Sequence, residues 1–181
     1  THTHGDHVNG IDDLRVWAKQ TDASSIPAYA TQETLDELAL RFDYMFESKS
    51  RLYPKVIQPV AMNRNLNHRM QIGDIAFTPF LQEHGTINSL GFRFGRVGYS
   101  TDMRDLDSRA IEILKGVDIW IADCAAYHYP NPSVHANIER VKALNSSIGA
   151  RYVYLTHLSA RIDYAKLMEE LPSGYEPAYD G

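Results

Sequence analysis

Thr1-His2-Thr3-His4-Gly5-Asp6-His7 places three imidazoles and a carboxylate within six consecutive positions. Neutral imidazole and carboxylate are the ordinary ligands of zinc, manganese and iron. In an extended stretch His2 and His4 project to the same side. Asp6 and His7 follow one turn later, where Gly5 lets the backbone bend. Two pairs of ligands facing a common point suit two metals better than one. A solvated histidine tail is the competing explanation. Such a tail does not interleave Asp in this pattern or run directly into the amphipathic Val8-Asn9-Gly10-Ile11-Asp12-Asp13-Leu14-Arg15.

Outward from that stretch, the 181 residues have the length of one domain, 1–181, that can bury a core. The composition, 44% hydrophobic and 23% charged, is that of a globular chain. No apolar run approaches the roughly 18 residues of a membrane span, and there is no signal-peptide pattern. The one cysteine, Cys124, excludes an internal disulfide and suits a reducing compartment, so a cytoplasmic protein is expected. The formal net charge is -5, which two divalent ions would largely offset. Basic residues are scattered (Lys49, Arg51, Lys55; Arg64, Arg69; Arg93, Arg96) and form no dense stripe, which counts against a long nucleic acid as partner. A small anionic substrate needs only the metals and one or two arginines. A homodimer is compatible with all of this. The first residue already lies inside the motif, and the last follows Tyr179-Asp180 without a cap, so both ends are expected to be cut from a longer fold.

The periodicity predicts a helix over 8–18, a loop around Pro27 over 22–30 with room for a short strand, and a helix led by Thr31 as N-cap. Leu35, Leu38, Phe42, Met45 and Phe46 keep the helical spacing. A polar loop over 48–55 precedes a strand at 56–61. Strands follow at 75–80, 87–94 and 97–100, the last two joined by a tight Gly95-Arg96 hairpin. A helix over 106–115 stops at Gly116. The runs 118–123 and 152–155 read as strands buried on both faces. Helices are expected over 133–146, with Val134, Ile138, Val141 and Leu144 inward, and over 163–171, stopped by Pro172. The order defines a mixed α/β layered protein with ligand-bearing residues at strand ends.

Three further polar residues sit at the ends of apolar strands, where function concentrates. His84 ends Phe80-Leu81-Gln82-Glu83-His84, Asp102 follows Gly98-Tyr99-Ser100-Thr101, and His157 follows Tyr154-Leu155-Thr156. Any one alone is an ordinary loop or core residue. Together with the opening cluster they make five histidines and two aspartates in one order.

That order resembles the metallo-β-lactamase-fold hydrolases along essentially the whole chain. Asp-His-Val-Asn-Gly-Ile-Asp-Asp-Leu-Arg (6–15), Ser-Leu-Gly-Phe-Arg-Phe-Gly (89–95) and Tyr-Ser-Thr-Asp (99–102) are similar to the branch containing phosphoribosyl 1,2-cyclic phosphate phosphodiesterase. The resemblance implies an αββα sandwich. It also implies one metal on His2, His4 and His84, a second on Asp6, His7 and His157, and Asp102 bridging the two. The ions would be zinc or manganese, with iron allowed. A hydroxide shared by two such metals is suited to attack on a phosphodiester, and Asp6 would orient it. Members of the fold carry strands ahead of the motif, so segments completing the first sheet are expected to precede Thr1.

The same resemblance puts His135, in Tyr-Pro-Asn-Pro-Ser-Val-His (129–135), where this branch has a histidine that binds phosphate or protonates the leaving alkoxide. His128 is a rival for that role, and His68, in a polar loop, is read as solvated. Arg93 and Arg64 are candidates to clamp a phosphate. Cys124 follows Asp123 at a strand end, where a cysteine is usually a small buried hydrophobe. The expected function is hydrolysis of a small phosphodiester, a cyclic ribose phosphate or a nucleotide-like compound. Three alternatives share the metal site: lactone or thioester hydrolysis, trimming of RNA 3′ ends, and a non-catalytic nucleotide-binding module.

Overall fold

The computed structural model describes residues 1–21, 25–51, 53–130 and 132–180. Part of the loop expected over 22–30 (residues 22–24), position 52 of the loop over 48–55, Asn131 within 129–135 and the terminal Gly181 lie outside the described residues. The chain forms two compact units, Thr1–Arg64 and Asn65–Gly181.

In the first unit, α1 (Gly5–Val8) and α2 (Asp13–Gln20) replace the single helix expected over 8–18. Asn9-Gly10 interrupts it, two weak helix formers in succession, and the backbone passes through single turns before α2 starts. β1 (Ile26–Ala30) leads into α3 (Gln32–Arg41), whose N-cap Thr31 accepts the Thr34 N–H as predicted. The spacing from Leu35 to Phe46 covers two helices, because α3 ends at Phe42 and α4 (Asp43–Phe46) begins there. β2 (Ile57–Ala61) then pairs parallel with β1, Ile26 opposite Ile57 and Ala30 opposite Ala61. Ala18, Leu38, Met45, Phe46, Val56 and Ile57 form this unit's core. Arg15 ties α2 to it, donating to the Tyr44 carbonyl at 2.7 Å and stacking on Tyr44 and Tyr53.

The second unit is built on a seven-stranded sheet. β3 (Met70–Ile72), β4 (Ile75–His84), β5 (Ile87–Phe94) and β6 (Val97–Ser100) run antiparallel to one another. Gly95, at φ 56°, supplies the positive angle of the two-residue turn between β5 and β6. The chain then alternates: α5 (Ser108–Leu114), β7 (Ile119–Asp123), α6 (Ile138–Ile148), β8 (Tyr152–Thr156), α7 (Tyr164–Glu170) and β9 (Tyr175–Pro177). β6, β7, β8 and β9 are parallel neighbours. β7 and β8 are therefore interior strands, but they are not fully buried on both faces as expected: Trp120, Ala122, Val153 and Leu155 are buried, whereas Ile119, Ile121 and Tyr154 on the alternate face are half-buried and Tyr152 is exposed. Phe80, Leu114, Trp120, Val141, Leu144, Val153 and Leu155 lie in one core cluster. Trp120 reconciles its indole N–H with burial by donating to Ser100 Oγ at 3.0 Å.

Two short edge strands, β3 and β9, are additions to the expected pattern. β4 also runs four residues further than expected, so His84 is its last residue, opposite Ile87, and does not lie beyond it. The helix expected from 133 starts at Ile138, because the Asn137 side chain caps it by accepting the Arg140 N–H at 2.8 Å. Val134, expected inward, is consequently exposed, and His135 lies in a loop. Among the described residues no helix is long and apolar enough to cross a membrane.

Asp107 caps α5 by accepting the Ala110 N–H at 2.7 Å. Asp107→Ala should lower the unfolding free energy by about 1 kcal/mol. Urea denaturation followed by circular dichroism checks this, and an unchanged midpoint would mean that the cap contributes nothing.

Candidate metal centre

In a parallel sheet the strand C-termini share one edge, and ligands gather there. β7 ends in Asp123, the loops after β6 and β8 carry Asp102 and His157, and His135 lies between β7 and α6. Asp102 is 1% exposed and His84 equally buried. The described non-glycine residues at positive φ are Asn67, Asp102 at 51° and His157 at 57°. Two of the three are candidate ligands. Left-handed backbone at such residues costs stability and persists where the surroundings demand it.

Each oxygen of Asp102 faces a different imidazole. Oδ2 lies 3.4 Å from His84 Nε2 and Oδ1 lies 3.3 Å from His157 Nε2. The tautomer of His84 follows from its other nitrogen, which lies 2.7 Å from the Val134 carbonyl. A carbonyl only accepts, so Nδ1 carries the proton and a neutral His84 presents a lone pair at Nε2. A lone pair facing a carboxylate at this distance requires a proton or a cation between them. The donors here are nitrogen and oxygen without thiolate, a set that suits zinc or manganese, and the residues fit a divalent metal.

His135 belongs to the same group of side chains. Its ring stacks on His157 with centroids 4.8 Å apart and lies 5.0 Å from His84. Its Nδ1 is 2.7 Å from Asp123 Oδ2. Asp123 is fully buried, and its charge is met by three donors: His135 Nδ1–H, the Met103 N–H at 2.9 Å and the Ala125 N–H at 2.9 Å. Asp123, His135 and His157 also offer ligand atoms within 4.8 Å of one another. The three donors already on Asp123 make it the orienting partner of His135 more than a ligand. This residue was missed from the sequence, although the criterion that selected His84, Asp102 and His157 applies to it equally.

Within the first unit His2 is buried, His7 half-buried, and His4 and Asp6 exposed. The His2 ring lies 4.5 Å from both the His4 and His7 rings, and His7 Nε2 is 3.3 Å from Asp6 Oδ2. α1 brings Asp6 and His7 together, and Arg41 of α3 donates to the Thr3 carbonyl between His2 and His4.

The remaining candidates have other surroundings. Arg93 donates its Nε–H to the Gly95 carbonyl and its Nη1 to the carbonyls of Ile113 and Lys115, at the C-terminal end of α5. Arg64 is exposed in a 3-10 turn, His68 is exposed in a polar turn, and His128 is exposed against Tyr127. Cys124 is buried, and burial together with the Asp123 carboxylate pushes its thiol well above the ordinary range. It is a packing residue, neither thiolate ligand nor nucleophile.

Residues 1–158 match the Beta-lactamase superfamily domain, and the chain belongs to that family. Its fold is the metallo-β-lactamase fold. A solved diphosphatase of the PhnP family is 27% identical, with a TM-score of 0.82 over the whole of this chain and 67% of that one. The metallo-β-lactamase fold protein YhfI from Bacillus subtilis is 20% identical, with a TM-score of 0.76 over the whole of this chain and 73% of that one. The octanoyltransferase of Porphyromonas gingivalis (strain ATCC BAA-308 / W83) is 30% identical over 184 residues. This chain spans only 36% of that protein's length.

The left-handed backbone at Asp102 separates two contributions. Asp102→Gly and Asp102→Ala should both lose metal, but the metal-free glycine variant should be more stable than the alanine variant by about 1–2 kcal/mol. Equal stabilities in urea would show that the backbone relaxes out of the left-handed region when the carboxylate is removed.

Proposed function

We propose that this chain is a metal-dependent hydrolase of small phosphodiesters. His2, His4 and His84 would hold one divalent ion, Asp6, His7 and His157 a second, and Asp102 would serve both. The assignment follows the family motif residue by residue. It is supported within the second unit by the two oxygens of Asp102, each directed at a different imidazole. Bound there, two divalent ions would supply Lewis acidity, lowering the pKa of water and neutralising phosphoryl charge. The similarity to a diphosphatase favours a phosphate ester over a thioester or lactone.

The observation that carries the catalytic reading is the Asp123–His135 pair. A buried carboxylate fixes the tautomer of His135 with the proton on Nδ1 and stabilises the imidazolium. Nε2 is then the atom that handles the substrate's proton. When the bond from phosphorus to the leaving oxygen breaks, the protonated ring delivers its Nε2 proton to that oxygen and returns to the neutral form. Asp6 would orient the attacking water, and the anionic substrate would be small.

The need for a proton depends on the leaving group. Alkoxide departure requires one, whereas p-nitrophenolate leaves readily without it. His135→Ala should therefore lower kcat on a 2′,3′-cyclic nucleotide by about 10²–10⁴-fold, and on bis(p-nitrophenyl) phosphate by less than about tenfold, with metal content unchanged. Asp123→Asn should show the same asymmetry more weakly. Asp102→Ala should abolish turnover of both substrates along with metal binding. Equal losses on the two substrates would remove the proton-donor role of His135. A metal-replete wild type inert on both would move the reaction to thioesters or lactones.

A further inference from the structure

Gln82 stands where strand alternation reserves a place for an apolar side chain. It lies on β4 between Phe80 and His84, on the inward face that all three share, and is 1% exposed. Its Nε2 donates to Ser89 Oγ at 3.0 Å and to the Thr101 carbonyl at 3.0 Å. Ser89 Oγ donates in turn to the Asp102 carbonyl at 2.7 Å. The carbonyls of Thr101 and Asp102 belong to the two peptide planes that meet at the Asp102 Cα. The relative orientation of those planes is set by the backbone torsions of Asp102, whose φ is 51°.

The surroundings make room for this amide at a cost. Gly91 lies opposite Phe80 across the β4–β5 ladder, and a Cβ there would come within 2.5 Å of Gln82 Oε1 and 2.4 Å of the Phe80 ring. Gln82 Oε1 itself is buried and accepts no hydrogen bond among the described residues. An orphaned buried acceptor destabilises the fold, and Leu or Met would fill the position without it. The favourable role of Gln82 therefore lies in its two donations.

We infer that Gln82 is a positioning residue: through Ser89 and Thr101 it holds both peptide planes flanking Asp102 so that the carboxylate is set for a divalent metal. This rests on the metal assignment made under the proposed function. Gln82 touches neither substrate nor ligand atoms, and its effect passes through the backbone of Asp102.

The test is metal affinity, measured by zinc titration against a chelator, with the visible absorption of the cobalt-loaded protein reporting ligand geometry. Gln82→Met removes both donations at nearly constant volume. It should weaken zinc binding by about tenfold or more and alter the cobalt spectrum. Ser89→Ala removes only the donation to the Asp102 carbonyl, should shift affinity in the same direction, and decides the matter if Gln82→Met does not fold. Leu144→Ala, a core truncation in α6, should lower stability while leaving affinity and spectrum as in the wild type. Affinity within about twofold of wild type in the Gln82 and Ser89 variants, with an unchanged spectrum, would overturn the inference. An equal loss in Leu144→Ala would overturn it too, since the effect would then be one of general stability. A wild type that binds metal but hydrolyses no phosphodiester would overturn the substrate assignment alone. A wild type that binds no metal would overturn both.

Discussion

A carboxylate with an imidazole facing each of its oxygens is the constraint around which the second unit is arranged. Asp102 presents its two oxygens to His84 and His157 from left-handed backbone at φ 51°. The cost is met by the buried surroundings: the Trp120 and Leu114 core beneath β6, and the amide and hydroxyl that hold the adjoining carbonyls. His84 is aimed from the other side by its Nδ1–H on the Val134 carbonyl. Much of the loop structure at the strand ends serves to keep these few atoms at fixed angles.

The fold was legible where one cause acted alone. β7 and β8 are largely apolar because each has a strand neighbour on both edges and fully buries alternate side chains, Trp120 and Ala122 on one, Val153 and Leu155 on the other, and Gly95 marks a turn that needs a positive angle. Thr31 caps a helix because its side chain reaches a free N–H. Legibility failed where two causes competed. Val134 fits the helical spacing of Ile138 and Val141, but Asn137 caps the helix at a later start, and the cap prevails. The spacing from Leu35 to Phe46 is kept across a break at Phe42 because both helices bury the same side. β3 and β9 are three-residue edge strands whose existence depends on a neighbour's ladder, which no local pattern records.

For the site, residue type and order announced the candidate ligands, whereas the supporting contacts were silent. Asp123 carries the same signal as Asp102, a carboxylate at the end of an apolar strand, yet its significance depends on His135, twelve residues away and in a loop. Gln82 looks like a polar exception in a strand until Thr101 and Ser89 are seen beside it. Arg93 reads as an available cation from the sequence, whereas in the folded chain its Nε and Nη1 donate to carbonyls of the β5–β6 turn and the end of α5. Partnership across a sheet is a property of the register, and single-strand patterns do not carry it.

One atom, Asp123 Oδ2, accepts both the Met103 N–H and His135 Nδ1. Met103 adjoins Asp102, so a single oxygen is a common anchor for the loop of the carboxylate and for the imidazole assigned to the leaving group. This gives position 123 a particular evolutionary standing. A replacement cannot be tuned for one duty and repaired later for the other, since the first step disturbs both. Exposed residues such as His128 and Ser133 can vary while that anchor stays in place.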